Sequence, residues 1–302
     1  MQKNIDASII ITTYNRPHYL ERAIKSCLSQ VTVFNYEIIV IDDNGLHTTQ
    51  QQQTEALVSK YLHRVNYLPL ATNAGACIAR NHGIEHANGK YIFFLDDDDE
   101  YLPSKVQNQV EFLENNTQYD GCLFGFKRLD HAGKDIISDA NYPTIGSFQN
   151  FVIQGNFFTP MLCIRKNSLD AICGFDDIPR FQDRYLMIKA LANKQIFFTA
   201  NEASYILYEH DGERITHTNL EKTFKSLNKI KRRVMPYKIF FDKNQWQAYL
   251  ISELRIKATA LYISNHRIDR IKAAKLFAIT FAKSHEKEDL ISLLKSLIKT
   301  FF

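Results

Sequence analysis

Residues Tyr91-Ile92-Phe93-Phe94-Leu95 form an unbroken apolar run that ends abruptly in four carboxylates, Asp96, Asp97, Asp98 and Asp99. Five such residues read as a strand buried on both faces. A carboxylate buried without a partner is strongly unfavourable, so the cluster must stand in water, face cations, or both. Alternate residues of an extended chain point to one side, so Asp96 and Asp98 are expected to converge as hard oxygen donors on one divalent ion. Asp97 and Asp99 then point the other way, to be solvated or to tie the following loop. The plain alternative is an acidic loop after a strand, with no ligand at all.

What precedes the cluster narrows these readings. Ser8 to Thr13 is a short β-branched run and reads as a first strand, and Pro17 opens a helix whose apolar face is Leu20, Ala23, Ile24, Cys27 and Leu28. Glu37 to Asp43 reads as a second buried strand, again ending in two aspartates. A helix over Thr54–Leu62, a strand over Val65–Leu68 and a helix over Ala76–His86 follow, the last closed by Asn88-Gly89. With Tyr91–Leu95 this completes a βαβαβαβ alternation, which predicts an α/β fold with a parallel sheet covered by helices on both faces. Ligands of such sheets bind beyond the carboxyl ends of the strands. Those ends are Thr12-Thr13-Tyr14, Asp42-Asp43 and Asp96 to Asp99, so hydroxyl, aromatic and acidic groups are expected at one rim.

Beyond Cys122 the pattern is less regular, with apolar pieces at Cys122–Phe126, Met161–Ile164 and Ile196–Phe198 and a helical stretch at Arg184–Ala192. The Gln50–Gln53 run reads as exposed helix or loop. After Arg214 the chain becomes basic and helical, over Leu220–Val234, Gln245–Ser264 and Ile268–Phe302. The net charge of +4 conceals an asymmetry: residues 1–220 hold 19 Lys or Arg and 26 Asp or Glu, whereas residues 221–302 hold 18 and 7. The two parts are therefore expected to meet different partners.

A hydrophobic fraction of 45% supplies a substantial core and excludes a disordered chain. The five scattered cysteines, Cys27, Cys77, Cys122, Cys163 and Cys173, have no Cys-x-x-Cys pair, so reduced thiols are expected rather than a disulfide frame or a cysteine zinc site. The N-terminus runs straight into a strand without a charged-then-apolar leader, and Ala273–Ala282 is interrupted by Lys275 and too short to span a bilayer. The expectation is a chain neither secreted by a standard signal nor integral to a membrane.

Five motifs occur in order: Ser8 to Pro17 with its Thr12-Thr13-Tyr14-Asn15-Arg16-Pro17 end, Ile39-Val40-Ile41-Asp42-Asp43, Asn73-Ala74-Gly75 with Ala79-Arg80-Asn81, Phe94-Leu95 with the four aspartates, and Gly174-Phe175-Asp176 with Phe181-Gln182-Asp183. Together they resemble the family 2 glycosyltransferases of the GT-A fold, over Ser8 to Arg214. The resemblance implies a GT-A catalytic domain over residues 1–214, with a nucleotide-binding half (1–100) and an acceptor half (101–214), followed by a basic helical region over 215–302. Gln182 stands where the family usually has Glu, which leaves Asp183 intact and the role of the preceding position open.

The resemblance also assigns residues. Tyr14 is expected to lie flat against a uracil ring, or else to pack at the rim. Asp42 accepts the uracil N3–H or caps the turn that follows, and Thr12 offers backbone hydrogen bonds beside it. Arg80 suits nucleotide oxygens, or equally clamps the aspartate cluster. Asp96 is assigned to the ribose and the metal, with Asp98 the direct ligand of Mn2+ or Mg2+, and His210 is a candidate third ligand that is otherwise structural. Asp183, at a helix start that would keep it ionised, is the expected general base rather than a simple cap.

The expected activity is inverting transfer of a hexose, glucose first and galactose second, from a UDP-sugar to a lipid-linked glycan such as GlcNAc-diphosphate-undecaprenol, giving a β-linkage in O-antigen or capsule repeat-unit assembly. Competing readings are an aspartate-nucleophile phosphohydrolase, a sugar nucleotidyltransferase and a non-catalytic sugar-nucleotide-binding protein. The first wants Thr or Val where Glu100 stands and the motif on the first strand, and the second a Gly-rich loop in place of Thr12-Thr13-Tyr14-Asn15. No nucleic-acid partner is expected. The C-terminal helices either pack on the catalytic domain or lie on the anionic cytoplasmic face of the inner membrane as a peripheral contact.

Overall fold

The computed structural model describes residues 4–130, 132–138, 141–209, 219–264 and 266–301. Four parallel strands form the first half of the sheet: β1 (Ala7–Thr13), β2 (Tyr36–Asp42), β3 (Val65–Pro69) and β4 (Tyr91–Asp96). They are linked by α1 (Pro17–Leu28), α2 (Thr49–Val58) and α3 (Ala76–His86). The sheet continues through β5 (Glu100–Tyr101), β6 (Gly121–Leu129), β7 (Leu162–Arg165) and β8 (Phe197–Tyr208) in the order β3-β2-β1-β4-β7-β6-β8-β5. β7 runs antiparallel to both β4 and β6, so the sheet is mixed rather than wholly parallel.

The core follows from the apolar runs. Ile9, Ile10, Ile11, Ile39, Val40, Ile41, Ile92, Phe93, Phe94 and Leu95 are all buried, as strands covered on both faces require. α3 packs closely on β1 at Gly83, where a Cβ would come within 2.5 Å of the Ile10 side chain. Register then builds the rim: Thr12 lies between Ile41 and Asp96, and Thr13 opposes Asp42. β1 is flanked by β2 on one side and β4 on the other, which makes its carboxyl end a topological switch point.

Several local expectations differ from the structure. The second helix begins at Thr49, capped by the Thr48 hydroxyl, which accepts from Gln51 N at 3.1 Å, so the glutamine run lies inside it and Gln51 is buried. Cap chemistry outweighed the polar look of the run. β8 is twelve residues long because its irregular pairing with β6 interrupts the alternation that would reveal it. α4 (Lys105–Asn115), α5 (Phe148–Gln154) and α6 (Lys166–Ala171) were not expected, whereas α7 (Gln182–Ala192) was, two residues short.

The described chain groups into two compact units. The first comprises Met1–Ile145, Asn156–Asp177 and Gln182–Asp211, and the second Gly146–Gly155, Ile178–Phe181 and Gly212–Phe302. The second unit holds α5 with α8 (Leu220–Val234), α9 (Lys243–Ile263), α10 (Arg267–Ser284) and α11 (Lys287–Phe301). The single helical segment expected over Ile268–Phe302 is two helices, broken where His285 adopts a left-handed conformation at φ 57°. α9 starts with a capping box between Asp242 and Gln245, and the core of this unit is Ala258, Leu261, Ala273 and Phe277.

Candidate active site

The rim is assembled at the carboxyl ends of β1, β2 and β4. Chain extension ends at Asp96, and the next residues turn, with Asp99 N donating to Asp96 O at 3.1 Å. Asp96 and Asp98 are therefore related by a turn, not by the alternation of an extended strand. Of the two alternatives for Asp97 and Asp99, to be solvated or to tie the following loop, the first does not hold, since both are buried. Asp97 accepts a hydrogen bond from the Thr13 hydroxyl at 2.7 Å and pairs with Arg16 at 2.7 Å. Burial pushes its carboxyl up to about 7, against the pull of Arg16.

Arginines also engage Asp98 and Asp96. Arg16 reaches Oδ2 of Asp98 at 2.5 Å with its second nitrogen, and Arg22 donates to the Asp98 carbonyl while lying over the Tyr208 ring at 3.7 Å. Arg80, on α3, pairs with Oδ1 of Asp96 at 2.7 Å. Burial works against the charge of Arg80, but Asp96 and Asp183 outweigh it and hold the guanidinium above its ordinary value. Of the two roles open to Arg80, the clamp on the cluster is present in the structure.

Asp183 lies in the first turn of α7 and accepts from Thr159 N at 3.3 Å. Burial raises its carboxyl above the ordinary value, Arg80 draws it down in part, and Asp96 pushes it up. The sequence led to a carboxylate held ionised by a helix start; desolvation is the larger effect here. Asp183, Arg80 and Asp96 thus share one electrostatic neighbourhood. Asp176, in contrast, is engaged by Lys189 of α7.

The residues that the resemblance assigns to a nucleotide are more constrained than the sequence suggests. Asp42 is fully buried and accepts from Asn44 N at 2.9 Å, Asn44 Nδ2 at 2.6 Å and the Tyr67 hydroxyl at 2.6 Å. Capping of its own turn is therefore one of its uses. Tyr14 is 47% exposed just past β1, and Asn15 after it takes φ 58°. Thr12 is half-buried beside Asp96. His210 lies outside the described residues.

Sequence reasoning missed three organising residues. Asp43 holds the Asn73-Ala74-Gly75 loop, accepting from Ala74 N at 2.6 Å and Gly75 N at 2.9 Å. Asn81 exchanges two 2.8 Å hydrogen bonds with the backbone of Phe175, tying α3 to a turn in which Gly174 has φ 55°. Arg16 binds two members of the aspartate cluster. Each stands inside a quoted motif, but sequence spacing carries no sign of its partner.

The donor chemistry suits a hard divalent ion: two carboxylates, Asp96 and Asp98, each held in place by an arginine. Among the described residues, the group of three ligand-type side chains with atoms within 4.8 Å of one another lies elsewhere, at His82, Glu85 and His86 of α3.

A mixed sheet of this order, with an acidic turn after β4 and helices packed on it, is the sheet of a protein of the GT-A fold. The model of glycosyl transferase family 2 matches residues 8–172, and the chain belongs to that family. An uncharacterized glycosyltransferase of Haemophilus influenzae is 27% identical over 79% of this chain and 88% of its own length. The putative teichuronic acid biosynthesis glycosyltransferase TuaG of Bacillus subtilis is 35% identical over 39% of this chain and 44% of its own length. The putative colanic acid biosynthesis glycosyl transferase WcaA of Escherichia coli is 39% identical over 35% and 37%. Matches to uncharacterized Rickettsia glycosyltransferases span only about a fifth of those proteins' length, 21% in one and 18% in another. The S. aureus TarS 1-349 structure in complex with UDP-GlcNAc has the same fold, with TM-score 0.59, 18% identity and coverage of 96% of this chain and 89% of that one.

Proposed function

We propose that this chain is an inverting, metal-dependent glycosyltransferase that moves a hexose from a UDP-sugar, glucose first and galactose second, to a lipid-linked glycan acceptor. The observation that carries this reading is the shared neighbourhood of Asp96, Arg80 and Asp183 at the rim of a family 2 chain. TarS crystallised with UDP-GlcNAc supports a UDP-sugar donor, and the TuaG and WcaA names support polysaccharide assembly.

In this reading Asp183 takes the proton of an acceptor hydroxyl as its oxygen attacks the anomeric carbon. The bond from that carbon to the diphosphate oxygen breaks on the opposite side, UDP leaves, and an α-linked donor gives a β-linked product. Burial raises the basicity of Asp183, a change in the direction that proton acceptance needs. Tyr14 offers an aromatic face to uracil, Asp42 and Thr12 line the base, and Arg80 orients Asp96 toward the ribose. Asp98, with Asp96 beside it and His210 as a further candidate, would hold Mn2+ or Mg2+. When bound, such an ion neutralises charge on the departing diphosphate.

The acceptor we favour is GlcNAc-diphosphate-undecaprenol at the cytoplasmic face of the inner membrane, in O-antigen or capsule repeat-unit assembly. No described helix is long and apolar enough to cross a membrane. A panel of radiolabelled UDP-sugars against a synthetic GlcNAc-diphosphate-lipid tests donor and acceptor together. Hexose incorporation with β-stereochemistry is the expected result; no incorporation from any UDP-sugar would reject the reading.

A further inference from the structure

α11 is amphipathic, and it is mounted with its polar side inward. Its buried residues are Asp289, Ser296 and Thr300. Asp289 accepts two hydrogen bonds from Arg255 of α9, at 2.8 and 2.7 Å, and Ser284 donates to it at 2.5 Å. The Ser296 hydroxyl donates to the Arg270 carbonyl at 3.3 Å, and Leu293 is the one leucine of α11 packed on the apolar core of this unit. The opposite side carries Leu290, Ile291, Leu294, Leu297 and Ile298, exposed by 36, 40, 50, 37 and 60%. At about 100° per residue these five fall within a stripe about 120° wide that faces away from α9 and α10.

An ion pair and hydroxyl contacts thus fix the helix so that its apolar stripe stays exposed among the described residues. Such a stripe on a soluble surface marks an interaction site. Charge selects the occupant. Residues 267–301 hold eight Lys or Arg against four Asp or Glu, and Asp289 is spent on Arg255. Lys287 lies at one end of the stripe, with Lys295 and Lys299 along one side. Self-association through α11 would bring these lysines together, whereas an anionic bilayer meets both the apolar and the basic groups.

We propose that α11 is the membrane-docking element of this protein, lying in the plane of an anionic leaflet with Leu290, Ile291, Leu294, Leu297 and Ile298 among the acyl chains and the lysines at the headgroups. The inference rests on the lipid-linked acceptor reading for its biological setting, but the docking surface stands on the packing of α11 alone.

The test uses the full chain and vesicles of phosphatidylethanolamine and phosphatidylglycerol at 3:1, against vesicles of phosphatidylcholine. The protein is expected to co-sediment with the anionic vesicles, more weakly at high salt, and at least tenfold less with phosphatidylcholine. The double variant Leu294→Glu, Ile298→Glu is expected to lower anionic binding at least tenfold. Both positions are exposed, so its circular dichroism and its metal-dependent UDP-sugar hydrolysis should match the parent. Lys295→Glu, which leaves the apolar stripe intact, is expected to weaken binding by a smaller factor. Equal binding by the double variant, or its loss instead on changing the exposed Ile239 and Phe240 to Glu, would overturn the assignment to α11. A dimer in light scattering that the double variant abolishes, without vesicle binding by the parent, would assign the stripe to a second copy and overturn the proposal. Vesicle binding without transfer to any lipid-linked acceptor would reject the functional reading while sustaining this one.

Discussion

The guanidinium of Arg80 stands 2.7 Å from a carboxylate oxygen of Asp96, locking the middle of α3 to the last residue of β4. Arg80 is 6% exposed, so the contact is shielded from solvent on the arginine side. A lysine at this position keeps the charge but loses the planar fork that orients the carboxylate. Arg80→Lys is expected to lower kcat/KM for transfer about tenfold or more while leaving the circular dichroism spectrum unchanged. Parental kcat/KM in a folded variant would reduce the contact to a structural clamp.

Asp183→Asn removes proton acceptance with little change of shape. Transfer should fall about 100-fold or more, as for other general bases, while the affinity for UDP stays within about threefold of the parent. Isothermal titration with UDP beside a transfer assay separates the two. Full transfer by this variant would move the base to another carboxylate, with Asp176, Asp177 and Asp211 the next candidates. Of these, Asp176 is already held by Lys189.

Chelation should abolish transfer, and added Mn2+ or Mg2+ should restore it. Asp98→Ala is expected to weaken donor binding and turnover together, because the ion this carboxylate would hold would also neutralise the diphosphate. Transfer undiminished after complete removal of divalent ions would end the assignment of Asp96 and Asp98 as ligands.

Lys105 supplies a pH dependence of stability. Its amine is fully buried, donates to Gln109 at 2.5 Å and Ser204 at 3.1 Å, and lies near the Tyr101, Phe93 and Tyr205 rings. Burial pushes it down to about 7, whereas in the unfolded chain it titrates near about 10.4. Between those values the unfolded chain binds a proton that the native chain does not. Stability from this group therefore rises with pH across that window and is lost as pH falls toward 7. Lys105→Met should flatten the slope, by up to about 1.4 kcal/mol per pH unit, in urea unfolding at about pH 7 to 9. An identical slope in parent and variant would show that the native lysine keeps its proton.

The first half of the fold was legible because its strands are apolar runs that end in polar residues and its helices repeat at the helical period. Ala76–His86 was read to the residue, as was Leu220–Val234 in the C-terminal part. The second half was less legible. α4 carries Lys105 and Gln109 in its buried face, and β8 shifts register against β6, so neither presents a clean period. The break at His285 carries no Gly or Pro to announce it.

At the rim, the sequence alone determined that carboxylates gather where β2 and β4 end, since strand direction and chain order dictate that placement. It also determined that the C-terminal part is basic. Only the tertiary structure decided the partners: Arg16 on Asp97 and Asp98, Arg80 on Asp96, and Asp43 on the loop before α3. It also decided which face of α11 turns inward. Periodicity reports that a helix has two faces, but the Arg255–Asp289 pair, formed across 34 residues with the carboxylate buried, selects the polar one. Such choices rest on contacts between distant segments, whose energies depend on burial and geometry that local sequence does not encode.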